Sequence, residues 1–316
     1  MAAVLAVEVL LVAPEFSAVL TALSAARPGW LALAVLAEAG SLSMFAATRR
    51  RLLAAAGVAV PAGSTLAAVY EASALTLTLP GGSAFSTAYT YRWMRNRGAS
   101  VPAATWVLVT GGLISSAALG GLGLLGSLGA GSGAGLVPLV LGLLGVAVRA
   151  VAVRRLARRP DRVVAAGRVL LGWVNKATRR PPARGVAALD DLVGQLRSVR
   201  PSGRDWAVAG GFMLGNWVLD AACLAAGAAA LGVAGLSWPL LLIAYTAGMA
   251  ASGLSLLPGG IGIVDAALVL TLVAGDVPAA SALPAVLLYR LISLGGVAAA
   301  GWTVAAVQAR RGSRSS

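Results

Sequence analysis

The sequence predicts an all-α fold, a polytopic helical membrane protein with about six to eight transmembrane helices. Three observations lead to this prediction. Hydrophobic residues make up 59% of the chain and charged residues only 11%, whereas about a quarter of the residues in soluble domains are charged. The mean hydropathy is +0.86. Several apolar runs reach the roughly 20 residues that a spanning helix needs, and short basic segments separate them.

Composition also excludes several classes of function. The chain has no histidine and a single cysteine, Cys223, so imidazole catalysis and metal sites built on His or thiolate ligands are excluded. We therefore expect no metal and no cofactor. The net charge of +14 is typical of cytoplasmic loops facing anionic lipid, so membrane lipids are the expected partners and nucleic acid is not. The Ala, Gly, Val and Arg bias is typical of a bacterial genome rich in GC.

The first half begins with two short segments, 1–12 and 15–26, of which the second has the pattern of an amphipathic surface helix. Residues 30–47 form the first convincing span, which Glu38 interrupts. A helix at 64–79 then runs into a Leu-Pro-Gly-Gly break. Basic residues begin about nine positions after that break, too few for a second crossing, so we expect a re-entrant hairpin.

Two further spans, 103–128 and 136–153, complete this half. In the first of them Gly112, Ser116 and Gly120 recur at four-residue spacing. Such a stripe of small residues lets helices approach closely, so it predicts a packing surface.

A long polar segment, 154–205, separates the halves and holds 13 of the 25 basic residues. Its apolar positions share helix faces on either side of a double proline, which predicts two amphipathic helices on the cytoplasmic leaflet. Residues 206–233 then span, 238–257 lead into a second Leu-Pro-Gly-Gly break, 262–275 lead out of it, and 280–308 form the last span.

The distribution of basic residues predicts the topology. Lys and Arg concentrate at 49–51, 92–97, 149–204 and 310–314, which marks these positions as cytoplasmic. The first broken segment then leaves from the cytoplasm and returns there, whereas the second leaves from the outside and returns to the outside. We therefore expect one transmembrane domain, 1–316, with inverted halves 1–153 and 206–316 joined by a cytoplasmic segment 154–205, in a multi-pass bacterial plasma-membrane protein with a cytoplasmic C-terminus.

The breaks and the intramembrane charges are the candidate functional residues. Pro-Gly-Gly sequences stop a helix and leave backbone groups that need a cavity or protein partners, and paired breaks in two halves indicate a transporter-type site. Intramembrane charges are costly and usually face a partner or a cavity. Arg290 is expected to pair with Asp265 or Asp220, either along a polar path or as a purely structural ion pair. The break residues are Pro80, Gly81, Gly82, Pro258, Gly259, Gly260 and Gly262, and the path also includes Glu71, with Glu38 and Glu8 as weaker candidates.

These residues resemble a known family. Pro258, Gly259, Gly260, Gly262 and Asp265, followed by Tyr289 and Arg290 in the last span, are similar to the motif of the membrane domain of lysylphosphatidylglycerol synthetase/flippase proteins, with Asp in place of the usual Glu. The first break resembles the family less closely: Pro80, Gly81, Gly82 and the later Arg92 fit its first motif, but Phe85 stands near the position where many members carry an acid. The resemblance implies a lipid-translocating fold with two re-entrant helices and adds Tyr289 to the path.

The leading functional hypothesis is a flippase-like protein that moves an amphipathic phospho- or polyprenyl-linked lipid between leaflets, without catalysing a chemical reaction. A non-catalytic membrane scaffold for lipid or envelope synthesis is one alternative. An integral-membrane transferase acting on lipid-linked substrates is another, but the expected outside loops offer only Asp276 as an acid. The expected ligands are anionic or lipid-linked, and a homo-oligomer is compatible with the sequence.

Overall fold

The computed structural model describes residues 26–130, 173, 201–252 and 258–312, and the regular structure in these ranges is helical. Four helical stretches are long and apolar enough to cross a membrane. The predicted all-α class and polytopic membrane character are confirmed. The helices are α1 (Pro28–Ala55), α2 (Ala62–Thr78), α3 (Gly82–Asn96), α4 (Val101–Gly129), α5 (Gly203–Ala230), α6 (Trp238–Ser252), α7 (Ile263–Ala274), α8 (Ala279–Arg290) and α9 (Val297–Gly312).

Two short irregular helices complete the second half. A 3₁₀ turn, Pro258–Gly260, precedes α7, and a π-helical segment, Leu291–Gly296, joins α8 to α9. Because α8, the π segment and α9 are continuous, residues 279–310 form one candidate span of 32 residues. The second break thus lies within a short 3₁₀ turn, and the last span changes its helical pitch immediately after Arg290.

Helices α1 and α5 form an antiparallel pair at the centre of the packing. At one end the Arg27 backbone N–H donates to the Ala230 carbonyl at 2.9 Å. At the other end the Arg51 guanidinium lies 2.7 Å from the Asp205 carboxylate. These contacts show which residues of α1 and α5 lie opposite each other at each end of the pair.

Glycines allow the closest helix approaches. Helix α2 packs against α9, where a Cβ added to Gly301 would lie 2.2 Å from the Tyr70 carbonyl oxygen. Helix α6 packs against α4, where a Cβ on Gly129 would lie 2.3 Å from the Trp238 ring. Since neither position has room for a methyl group, both interfaces require glycine.

The close approach of α4 differs from the predicted stripe. A Cβ on Gly112 would meet no described atom within 4 Å, whereas one on Gly126 would lie 2.9 Å from Leu242. A Cβ on Gly123 would lie 3.3 Å from the Thr246 hydroxyl. The contact between α4 and α6 therefore lies more than two turns beyond Gly112. It is formed by Gly123, Gly126 and Gly129, which have three-residue spacing.

Large apolar side chains cover the outer surface of the described helices. Leu36, Leu128 and Leu270 are each about two-thirds exposed, and a soluble monomer would rarely leave so many such residues uncovered. Lipid covers such surfaces in a membrane. The predictions for 1–25, for the span at 136–153 and for most of the segment 154–205 lie outside the described residues.

Candidate functional site

Asp220 is the centre of a polar cluster in the middle of α5. Its carboxylate accepts a hydrogen bond from the Tyr245 hydroxyl at 2.6 Å and another from the Tyr289 hydroxyl at 2.9 Å. Both tyrosines are fully buried. The Glu38 carboxyl, on α1, lies close enough to Asp220 to interact with it electrostatically, and its Oε2 atom is buried without a hydrogen-bond partner among the described residues. The cluster therefore joins four helices through one acid.

Arg290 lies directly after Tyr289 and connects this cluster to the second break. Its Nε atom lies 2.7 Å from the Asp265 carboxylate. Its Nη2 atom donates to the backbone carbonyl of Gly259. The residue is only 8% exposed, and a buried guanidinium is stable only when its donors are paired. Arg290 thus holds the 3₁₀ turn against the last span.

Asp265 also has a local role at the start of α7. Its carboxylate accepts the backbone N–H of Gly262 at 2.8 Å. This bond satisfies one of the amide groups that a helix N-terminus leaves without an intrahelical partner, and the negative charge is favourable there. Asp265 therefore stabilises the helix that follows the break and the arginine that clamps the break.

The backbone of the second break depends on glycine. Gly259, Gly260 and Gly262 have φ angles of 61°, 69° and 83°, in a region that residues with a Cβ rarely adopt. Pro258 and Gly260 are buried. The chain can therefore turn tightly inside the protein only because these residues are glycines.

The first break differs in its chemistry. Gly81 has a φ of 64°, and a Cβ on Gly82 would lie 2.4 Å from the Leu75 carbonyl oxygen. Glu71 accepts a hydrogen bond from the Tyr89 hydroxyl, which ties α2 to α3. Within the described residues, Glu71 belongs to this hairpin and is bonded to neither Arg290 nor Asp220. The structure thus brings four of the five predicted path residues into one network, in which the consecutive residues Tyr289 and Arg290 link the Asp220 cluster to the Asp265 ion pair, and it places Glu71 apart.

The second break contacts the helix that leads into the first. Helix α2 packs on the 3₁₀ turn Pro258–Gly260. A Cβ built on Gly259 would lie 3.5 Å from a methyl group of Leu77 and 3.0 Å from a methyl group of Leu294. Leu77 is two residues before Leu79, the first residue of the first break. The two halves of the chain therefore meet beside the second break.

The sequence indicates one member of the network only weakly and does not indicate another at all. Glu38 is only a weaker candidate by sequence, and Tyr245 is not singled out. Both lie in apolar runs at positions that only the packing of α1 and α6 on α5 brings to Asp220. Each is a polar residue within an apolar span, and this is the feature by which the sequence could have indicated them.

The network is suited to binding polar groups by charge and hydrogen bonds. It offers one guanidinium, three carboxyl groups and two phenols, from Arg290, Glu38, Asp220, Asp265, Tyr245 and Tyr289. Among the described residues no group of three or more His, Cys, Asp or Glu side chains could hold a metal ion.

Comparison with known proteins identifies the family. A family model described as the lysylphosphatidylglycerol synthase transmembrane region matches residues 1–301, which is nearly the whole chain of 316 residues. A search among curated proteins finds no match. The match confirms the resemblance that the second break and the Tyr289-Arg290 pair indicate, and it associates the chain with membrane lipids. The chain belongs to the lysylphosphatidylglycerol synthase transmembrane-region family.

Proposed function

We propose that this protein moves an amphipathic lipid, phospho- or polyprenyl-linked, between the leaflets of a bacterial plasma membrane. The observation that carries the proposal is the network around Asp220 and Arg290. It brings together residues of five helices and the second break. Since intramembrane charges usually face a partner or a pathway, these residues are the natural place for a head group to cross.

The lengths of the broken helices support a re-entrant arrangement. Helix α2 has 17 residues, α6 has 15 and α7 has 12. At 1.5 Å per residue these helices are about 18–26 Å long, shorter than the roughly 30 Å of the hydrocarbon core. Each break would then lie within the membrane, where irregular backbone is tolerated only beside protein or a polar cavity.

The packing pattern supports inverted halves. In the proposed repeat, α1 corresponds to α5, the hairpin α2–α3 to α6–α7, and α4 to α8 with α9. The observed pair α2 with α9 then corresponds to the observed pair α6 with α4, and α1 packs against its own equivalent α5. A pseudo-two-fold relation of this kind is typical of transporters in which one half moves against the other around a central site.

The coupling step that we propose is release of the Arg290 clamp. A head-group phosphate would compete with Asp265 for the guanidinium, because arginine binds phosphate and carboxylate with similar geometry. Loss of the bond to Gly259 would then free the glycine turn to change conformation. The chain's own residues bind and orient in this mechanism, and no covalent step is involved.

Translocation of fluorescent lipids in proteoliposomes tests this function. A reductant that cannot cross the bilayer bleaches only the outer leaflet, so a flippase or scramblase lets bleaching exceed half of the label. We expect the wild-type protein to do so and Asp220→Asn and Arg290→Gln to be much slower. Arg51→Gln is the matched control, since it removes an ion pair of the same 2.7 Å length at the end of α1, away from the network.

A non-catalytic scaffold remains the second candidate. The observation that favours it is that Arg290, Asp265 and Asp220 already have partners within the protein, as in a purely structural network. A scaffold predicts bleaching that stops at half of the label with wild-type protein. It also predicts that neutral variants of the network lower stability without changing any lipid movement.

A further inference from the structure

Two grooves flank α3, the return helix of the first hairpin. One has a volume of about 540 Å³, and its walls include Leu75, Phe85, Tyr89, Arg92, Trp93 and Asn96. The other, of about 770 Å³, lies on the neighbouring face and again includes Arg92. The walls are mostly apolar, and Phe85 is more than half exposed. A single cation thus lies between two shallow, open apolar grooves.

Arg92 differs from Arg95, on the same helix, and from Arg97, directly after it, in having no partner among the described residues. Arg95 donates to the Ala99 carbonyl, and the Arg97 guanidinium stacks 5.3 Å from the centre of the Trp93 ring. Arg92 forms no hydrogen bond, ion pair or ring contact with any residue that the structure describes. Its charge is therefore available to a ligand that lies in the grooves.

A second cation strengthens the positive potential behind the groove. The Arg49 guanidinium lies close enough to Tyr89 to interact electrostatically, and its Nη1 atom is buried without a hydrogen-bond partner among the described residues. Glu71, bonded to Tyr89, is the acid beside it. Two arginines against one acid leave this side of the hairpin positive.

The position of Arg92 along α3 fits the depth of a lipid phosphate. Ten residues separate Arg92 from Gly82 at the break, which corresponds to about 15 Å along a helix. Half of the hydrocarbon core is also about 15 Å thick. If the break lies near the bilayer centre, Arg92 lies at the level of the head groups and the grooves lie beside the acyl chains.

We propose that α3 binds an anionic glycerophospholipid, with the phosphate on Arg92 and the acyl chains in the two grooves. Apolar grooves beside an unpartnered cation match the two parts of such a molecule. The inference extends the proposed function, since it names the lipid class and the place where a lipid approaches the hairpin. Binding at α3 is nevertheless measurable whether or not any lipid crosses the membrane.

Quenching of Trp93 by lipids with brominated acyl chains tests the proposal at equilibrium. The protein is reconstituted with brominated phosphatidylserine or with brominated phosphatidylcholine, and the signal of Trp93 is obtained by comparison with Trp93→Phe. We expect stronger quenching by the anionic lipid. Arg92→Gln should lower the preference for the anionic lipid about fivefold, as expected for one cation near a charged surface. Arg50→Gln, which removes an exposed arginine at the end of α1, should leave it unchanged.

Three results would overturn the proposal. Equal quenching by both lipids in the wild-type protein would mean that the grooves do not select charge. An equal loss in Arg92→Gln and Arg50→Gln would mean that the basic surface acts as a whole. Absence of quenching at Trp93 would mean that no lipid occupies the groove. Lipid translocation without selective quenching would leave the proposed function standing and reject this site.

Discussion

Replacing Arg290 by methionine measures most directly how much the network contributes to the free energy of unfolding. The substitution keeps much of the apolar stem and removes both the ion pair to Asp265 and the hydrogen bond to the Gly259 carbonyl. Breaking a buried charge pair from one side generally costs about 3–5 kcal/mol. The Arg290 side chain is 9% exposed, but that of Asp265 is 22% exposed, so water can solvate part of the remaining charge. We therefore expect a loss of about 3 kcal/mol, the lower end of that range.

The assay is reversible unfolding in mixed micelles with increasing SDS, followed by tryptophan fluorescence. Arg51→Met is the control, because its ion pair has the same length but the arginine is 33% exposed, and exposed pairs contribute little. Asp265→Asn should cost less than Arg290→Met, since an amide oxygen still accepts the Gly262 N–H. The double variant should cost less than the sum of the two. A loss of stability in Arg290→Met no larger than that in Arg51→Met would refute the stabilising role assigned to Arg290.

Glycine substitutions test the packing with the same unfolding assay. Gly301→Ala should be strongly destabilising, because the new methyl group would lie 2.2 Å from the Tyr70 carbonyl oxygen. Gly112→Ala, whose methyl group meets no described atom within 4 Å, should be neutral or stabilise the helix by up to about 1 kcal/mol. Gly82→Ala should disrupt the first hairpin, where the methyl group would lie 2.4 Å from the Leu75 carbonyl oxygen. If either clashing variant proved as stable as Gly112→Ala, the close helix approach assigned to that glycine would be wrong.

Much of the fold follows from hydropathy alone. The predicted span 30–47 corresponds to α1, which extends to Ala55 because Arg49, Arg50 and Arg51 remain helical beyond the apolar run. Arginine is a good helix former, so a boundary placed at the first charge ends too early. The span predicted at 280–308 is one continuous stretch in the structure, but its π segment has no hydropathy signal.

Only part of the site can be predicted from the sequence. The sequence predicts that Arg290 pairs with an acid, and the structure selects Asp265 as its ion-pair partner while tyrosines bind Asp220. That choice depends on helix rotation, which local sequence does not specify. Glu71 illustrates the same point, since its position eight residues before a break favours the path, yet its partner is Tyr89 in the same hairpin.

The central claim is that the two halves meet beside the second break and move there during lipid translocation. Its most direct test is a cross-link between the halves at this point. Leu77 and Leu294 both contact the space next to Gly259, so cysteines at these two positions, in a Cys223→Ala background, should form a reversible cross-link with a short thiol reagent. We expect lipid translocation in proteoliposomes to stop on cross-linking and to recover on reduction. Failure to cross-link, or an efficient cross-link that leaves translocation unchanged, would contradict the account.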